Sequence, residues 1–294
     1  MSMPLPKPRV AVIGTGNMGS AAARRLHSLG FNVVVWNRTR EKAASLAEEL
    51  GLEAPDTLEN AIGTVEIALL FLSDDQALFQ VLSRFGRIDG LTVVNMGTHT
   101  PAAAEHARAY VEGNGGCYVE SPVVGGPGSL LSGKAILIVA GRPACANTAR
   151  PVLEALSGEQ LYLGETPSKA QALKLAFNTL LIDTVSALSE SLRLAEAYGV
   201  EVGVFKSLLS KTVFAGIVEK YVDRMRRDPS EPASFRLELA AKDLHYALDA
   251  GFHVSEPMET TGCTARKYVD AVLQGLGSAD YTRIYWKSRR ARQE

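Results

Sequence analysis

Through the first half of the chain, short runs of consecutive apolar residues alternate with longer stretches whose apolar positions recur three and four apart. That rhythm predicts strands buried on both faces and covered by amphipathic helices, as in a parallel α/β sheet. The runs fall at Arg9–Ile13, Asn32–Trp36, Ile67–Leu72, Thr92–Met96, Tyr118–Pro122, Ile136–Ala140 and, more briefly, Leu161–Leu163. Helical stretches such as Asn17–Leu29 and Arg40–Leu50 separate the early ones. After Gly164 the rhythm changes. From Ser168 to Tyr198 an alanine- and leucine-rich segment contains neither Pro nor Gly, which predicts one long helix. Shorter helical segments follow, broken at Gly203, Gly216, Pro229, Pro232, Gly251, Pro257 and Gly275. The expected architecture is an α/β domain over residues 1–165 and an all-helical domain over residues 166–294, joined by the long helix from about 168.

Composition narrows the function classes. With 294 residues, 46% of them apolar and 21% charged, the chain can bury two ordinary cores. Its net charge of −1 provides no field to draw it to nucleic acid or an anionic membrane, so neither is an expected partner. Lys287, Arg289, Arg290 and Arg292 form a small basic tail that reads as a solvated terminus. The proline-rich start, Met1 to Pro8, lacks a signal peptide's apolar stretch, and no run is read as long enough to span a bilayer. Cys117, Cys145 and Cys263, an odd number without metal-like spacing, read as reduced thiols in a cytoplasmic protein. The five histidines are scattered, and no metal site is expected.

Between the first strand and the first helix stands Gly14-Thr15-Gly16-Asn17-Met18-Gly19, a G-x-G-x-x-G motif. Gly14 permits the tight turn, Gly16 lets a pyrophosphate approach the backbone, and Gly19 lets helix and strand pack closely. The helix N-terminus then faces the phosphates, which predicts a Rossmann dinucleotide-binding domain. The second strand ends in Asn37-Arg38-Thr39, where an NAD site carries an acidic residue for the ribose 2′-hydroxyl. An uncharged amide followed by a planar cation suits a 2′-phosphate, so NADP(H) is the expected cofactor. Thr39 reads equally as the N-cap of the next helix.

Further segments, taken with the glycine motif, resemble the β-hydroxyacid dehydrogenase family, with imine reductases as more distant relatives. Asn95-Met96-Gly97-Thr98 stands where the family carries a Ser-Thr pair; Thr98 matches and Gly97 does not. Ser121-Pro122-Val123-Val124-Gly125-Gly126, followed by Gly133-Lys134-Ala135, is similar to the glycine-rich substrate loop. Lys174 and Asn178 match the catalytic K-x-x-x-N, and Phe235 with Lys242-Asp243-Leu244 matches the helix that completes the site. The resemblance implies that Thr98 and Lys242 contact cofactor, while Ser121, Val124, Gly125, Gly126, Phe235 and Asp243 line the substrate site with Lys174 and Asn178. Phe235 reads equally as core, and Lys242 and Asp243 as a surface ion pair. Val124 replaces a common serine, so two hydroxyls are missing from the expected pocket. The resemblance further implies pairing into a homodimer or homotetramer.

The chemistry agrees with the residue types. Reducing a carbonyl needs a hydride from nicotinamide and a proton for the oxygen. Lys174 and Asn178, four apart, share one helix face, and an ammonium there polarises the oxygen and then protonates it. The leading expectation is interconversion of a small aldehyde or keto compound with its 3- or 4-hydroxy acid form. Imine reduction is an alternative that Lys174 argues against, and a non-catalytic dinucleotide sensor is an alternative of another class. Lys134 and Lys169 read as solvated charges. His245 is expected outside the site, and His99 as loop packing near the nicotinamide.

Overall fold

Neighbouring residues of each short strand face opposite sides of one sheet, and both sides are dry. Val10, Val12, Val33, Val35, Ile67 and Leu69 face one core; Ala11, Ile13, Val34, Ala68 and Leu70 face the other. Continuous apolar runs, rather than alternating ones, are what two covered faces require. The computed structural model describes residues 7–287, so the first six residues and the arginines Arg289, Arg290 and Arg292 lie outside the described residues. The chain divides between Lys174 and Leu175 into two units.

In the first unit the strands are β1 (Val10–Ile13), β2 (Val33–Trp36), β3 (Ile67–Leu70), β4 (Thr92–Asn95), β5 (Cys117–Glu120), β6 (Val123–Val124), β7 (Ala135–Gly141) and β8 (Ser157–Tyr162). Their order is β2-β1-β3-β4-β5-β7-β6, with β8 on β7. β1 to β5 are mutually parallel, but β7 runs antiparallel to both β5 and β6. The sheet is therefore mixed, not wholly parallel. Helices α1 (Asn17–Ser28), α2 (Arg40–Leu50), α3 (Leu58–Ile62), α4 (Asp75–Leu82), α5 (Pro101–Gly113), α6 (Pro127–Leu131) and α7 (Pro143–Leu156) connect the strands. The last strand is twice the expected length and starts earlier. Gly158, Glu159, Leu161 and Tyr162 are exposed in it, so no apolar run marks it.

Cysteine usage needs a correction. Cys117 of β5 and Cys145 of α7 form a disulfide with Cα atoms 5.4 Å apart, and only Cys263 is a free thiol, exposed on the surface. The packing of α7 on β5 brings the pair together across a separation of 28 residues, which spacing alone does not reveal. Cysteine usage thus no longer argues for a reducing compartment.

Helix α8 (Pro167–Ala197) runs 31 residues through the division between the units. By length and composition it could cross a membrane, contrary to the expectation from the sequence. Half of its most apolar window is buried in the protein, as in a core helix. The second unit continues with α9 (Val202–Leu209), α10 (Ala215–Arg226), α11 (Leu237–His253) and α12 (Glu259–Ala271). Its core joins Ile182, Val185 and Leu192 of α8 to Val222 and Met225, Leu237 and Leu244, and Tyr268. Three expected breaks are not breaks. Gly203 and Gly216 lie in first turns, where backbone N–H groups have no helical partner anyway. Gly251 lies near the end of α11, where a Cβ would stand 2.7 Å from the Glu256 carbonyl oxygen.

Candidate active site

The glycine motif occupies the turn from β1 into α1. Gly14 has φ +97°, and a Cβ there would stand 2.3 Å from the Phe71 carbonyl oxygen. At Gly19 a Cβ would meet the Gly14 carbonyl oxygen at 1.8 Å. Both positions exclude any side chain. Gly16, the N-cap of α1, has open space where its Cβ would be. The adjoining Thr15 Oγ1 is buried and has no hydrogen-bond partner among the described residues. A polyanion fits such a turn, with open backbone, an orphaned hydroxyl and a helix N-terminus together. Asn17 and Met18 form the first turn of α1. Asn37 does more than avoid a charge. Its Oδ1 accepts from Thr15 N at 3.1 Å and its Nδ2 donates to Thr39 O at 2.9 Å, so it buttresses the turn. Arg38 is exposed with no carboxylate partner among the described residues, whereas Arg40 pairs with Asp56. Thr39 is the N-cap of α2, without a side-chain capping bond.

At the carboxyl ends of β4 and β5 two polar residues pair in register, Asn95 opposite Glu120. Both are fully buried, as are Tyr118 and Gln171. Glu120 accepts from Asn95 Nδ2 at 3.0 Å, Tyr118 Oη at 2.7 Å and Gln171 Nε2 at 2.8 Å. Burial pushes its carboxyl up to about 8, against the pull of these three bonds, with the Glu105 charge adding to the rise. No reading of the sequence singled out this cluster. Its signal was an Asn and a Glu ending strands that are otherwise apolar.

The loop after β4 carries Gly97, Thr98 and His99. The His99 ring is buried, with Nδ1 3.1 Å from Asp75 Oδ1, and Thr100 donates to the same carboxylate at 2.7 Å. Burial alone would raise the Asp75 carboxyl; the bonds from His99 and Thr100 outweigh it and hold it below its usual value. A Cβ on residue 97 would stand 2.5 Å from His99 Nε2 and 2.8 Å from Leu72 O. Gly97 is therefore no simple loss of a serine, since the imidazole fills the space a serine side chain would need. Thr98 is half-buried between them.

Ser121 follows Glu120, and its buried hydroxyl has no hydrogen-bond partner among the described residues. Val124 lies in β6 opposite Ile136 and packs against Ile138, Ala140 and Ala170. An apolar side chain there completes a small core, which a serine would not. Gly125 has φ +137°, and Gly126, the N-cap of α6, has open space at its Cβ position.

Along α8 the buried positions Gln171, Lys174, Leu175, Asn178, Thr179 and Ile182 follow helical spacing, and four of them carry polar side chains. Lys174 is only 7% exposed, while its apolar neighbours Leu173 and Phe177 face outward. The chain thus turns Leu173 and Phe177 out and the lysine in beside Leu175, the reverse of a solvated charge. In the second unit Asn178 Nδ2 donates to Asp243 Oδ2 at 2.6 Å, and Lys242 Nζ lies 2.9 Å from Asp243 Oδ1 and over the Tyr246 ring. Asp243 is buried, so the pair is not a surface one. Phe235 packs on Tyr281 with ring centroids 5.2 Å apart. His245, Lys134 and Lys169 are exposed. No group of three potential metal ligands occurs among the described residues.

Residues 9–164 match the NAD-binding domain of 6-phosphogluconate dehydrogenase, and residues 168–286 match the NAD-binding domain of NADP-dependent 3-hydroxyisobutyrate dehydrogenase. The chain is 30% identical to the uncharacterised oxidoreductase YfjR of Bacillus subtilis, over 94% of its own length and 98% of that protein. To glyoxylate/succinic semialdehyde reductase 1 of Arabidopsis thaliana it is 27% identical, over 94% and 96%. The fold is that of the Mycobacterium tuberculosis 3-hydroxyisobutyrate dehydrogenase, with a TM-score of 0.81 at 20% identity over 96% and 99% of the two chains. An imine reductase from Pseudomonas sp. is similar at a TM-score of 0.66 and 26% identity, over 96% and 99%.

Proposed function

We propose, from the premise that the chain belongs to the β-hydroxyacid dehydrogenase family, that this NAD(P)-dependent dehydrogenase uses NADP(H) and Lys174 to interconvert a small carbonyl compound with its hydroxy form. The burial of Lys174 on a polar helix stripe carries the reading, because an ammonium is kept from water only where it has work or a partner. Gly14, Gly16, Asn17, Met18 and Gly19 hold the pyrophosphate, with the Thr15 hydroxyl as an added donor. Asn37, Arg38 and Thr39 take the 2′-phosphate, and Thr98 and Lys242 contact the rest of the cofactor. When bound, the dinucleotide supplies or accepts the hydride.

Lys174 Nζ donates to the carbonyl oxygen, polarises it, and delivers a proton as negative charge develops there. Asn178, held by Asp243, keeps this polar stripe oriented without competing for the proton. Gly125 and Gly126 present backbone amides to the substrate, and Ser121, Val124, Phe235 and Asp243 are the further residues assigned to it. Replacing Lys174 by alanine lowers kcat by at least ~10²-fold and leaves NADPH affinity near normal; an unchanged kcat removes Lys174 from the mechanism. Replacing Arg38 by a neutral residue weakens NADPH over NADH by roughly 1.5–3 kcal/mol, about one to two decades. Equal efficiency of the native enzyme with both cofactors contradicts the NADP assignment.

The small carbonyl compounds in the relatives' names, glyoxylate and succinic semialdehyde, are the first substrates to assay. Two features favour a less anionic substrate, or an imine as a second reading. Val124 belongs to an apolar cluster, and the room for a serine at 97 is taken by His99. A kinetic screen with NADPH over aldehydes, keto acids and cyclic imines separates these readings. The proposal includes a cytoplasmic homodimer or homotetramer that pairs through the outward side of α8, where Leu173, Phe177, Leu180 and Leu194 are exposed. Light scattering reads its mass directly.

A further inference from the structure

Gln171 is fully buried one helical turn before Lys174. Its amide makes three bonds to groups far away in sequence. Nε2 donates to the Gly97 carbonyl oxygen at 2.9 Å, and Oε1 accepts from the His99 backbone N–H at 3.1 Å. One side chain thereby grips the backbone on both sides of Thr98. The second N–H of the amide goes to Glu120 Oε1 at 2.8 Å. The same oxygen accepts from Asn95 Nδ2, and Asn95 Oδ1 lies 3.4 Å from Gly97 N.

This arrangement sets the orientation of the amide. Turned over, its oxygen would face the Gly97 carbonyl and the Glu120 carboxyl, and its NH2 would face the His99 N–H. The contacts to Gly97 and His99 would then be repulsive, and Glu120 Oε1, which already accepts from Asn95, would face a second oxygen, in a place where water cannot intervene. Glu120 therefore dictates which way round Gln171 sits, and Gln171 dictates where the loop sits. Asp75, through His99 Nδ1 and Thr100, braces the far side of the same loop.

The geometry points to Gln171 as a positioning residue: its amide clamps the backbone around Thr98 and sets that loop against the helical turn carrying Lys174, with Glu120 locking the amide's orientation. The catalytic consequence rests on the roles proposed above for Thr98 and Lys174, whereas the clamp itself does not. Misplacing a reacting group by about an ångström can cost about a hundredfold in rate, so a clamp of this kind tells in kcat before it tells in binding.

Two measurements test it. The first is independent of turnover: hydrogen exchange followed over residues 95–100. Gln171→Met removes both bonds to the loop and is expected to speed exchange at His99 by roughly tenfold or more, with β1 to β3 unchanged. The second is kinetic. Gln171→Met and Glu120→Ala are each expected to lower kcat roughly tenfold with NADPH affinity within about threefold, a split that general destabilisation does not produce. Glu120→Gln keeps a carbonyl oxygen for Asn95 and Gln171, so it is expected to restore kcat. Should Gln171→Met not fold, Gln171→Asn draws the amide back by one methylene and carries both measurements. Native exchange at His99 in a folded Gln171 variant overturns the clamp, and a Glu120→Gln enzyme as slow as Glu120→Ala overturns the orienting role. If the native chain turns over no carbonyl or imine, the proposed function fails by itself, and the exchange experiment still decides the clamp.

Discussion

Two buried carboxyls, one in each unit, have been given opposite surroundings. Glu120 sits among neutral donors, Asn95, Tyr118 and Gln171, with the Glu105 carboxylate as the charge that acts on it, and its carboxyl is pushed up to about 8. Asp280 is nearly as buried, but Arg224 reaches it with Nη2 at 2.7 Å and Nε at 3.1 Å, while Thr282 Oγ1 adds a bond at 2.7 Å. Burial would raise Asp280 as well; the guanidinium outweighs it and holds the carboxyl below its usual value. Burial sets the cost of a charge, and the charge of the partner decides whether it is carried. Asp280 fastens the end of the second unit as a permanent anion. Glu120 serves as an acceptor that is uncharged through the acidic range.

The sharpest way to break this comparison is the pH dependence of stability. A carboxyl raised from 4.5 to about 8 on folding contributes stability that is complete below about pH 4.5 and is lost as pH rises through 8. Glu120→Gln cannot ionise. It should match the native protein near pH 4.5 and exceed it by on the order of 4 kcal/mol at pH 9 in urea unfolding. Parallel curves for the two proteins would falsify the assignment of a raised pKa to Glu120.

Asp280 has the opposite sign. Its contribution is present above about pH 3.8 and is lost as pH falls through its lowered value. Asp280→Asn leaves the Arg224 guanidinium without its counter-charge at neutral pH. A loss of about 3 kcal/mol is expected, below the upper range for buried pairs because Arg224 is a quarter exposed. Helical circular dichroism in a urea titration reads it, and a loss under about 0.5 kcal/mol would reduce the pair to an ordinary surface contact. The smallest expected effect is that of Tyr118→Phe. It removes one donor to Glu120, costs about 1 kcal/mol at pH 8, and moves the alkaline loss of stability to still higher pH. A downward move would mean that the tyrosine does not donate to the carboxylate.

Local patterns carried much of the fold. The runs at Arg9–Ile13 and Asn32–Trp36 were visible because strands covered on both faces must be apolar at every position. The turn Gly14–Gly19 was visible because its demands on φ and on close approach act within six residues. The antiparallel pairing of β7 with β5 and β6 was not. Nor was the full length of β8, an exposed strand with the sequence Ser-Gly-Glu-Gln-Leu-Tyr that only its parallel pairing with β7 makes a strand. The disulfide and the fit of His99 against Gly97 escaped the sequence for the same reason: each depends on which distant segments become neighbours. Lys174 was visible as part of a K-x-x-x-N pattern; that Leu173 and Phe177 turn outward while the lysine turns in was not.

By itself the sequence determined the first five strands of the nucleotide-binding half, the dinucleotide turn, and the placing of Lys174 and Asn178 on one helix face. These are decided by steric and periodic rules that act over a few residues. The tertiary structure alone decided that Asn95, Glu120 and Gln171 meet, that Cys117 bonds to Cys145, and that the place of a missing serine is filled by an imidazole. Hydrogen bonds between buried polar groups are specified by partners 25, 51 and 74 residues away. A polar residue at a strand end reveals that it needs a partner, and only the packing of the chain supplies one.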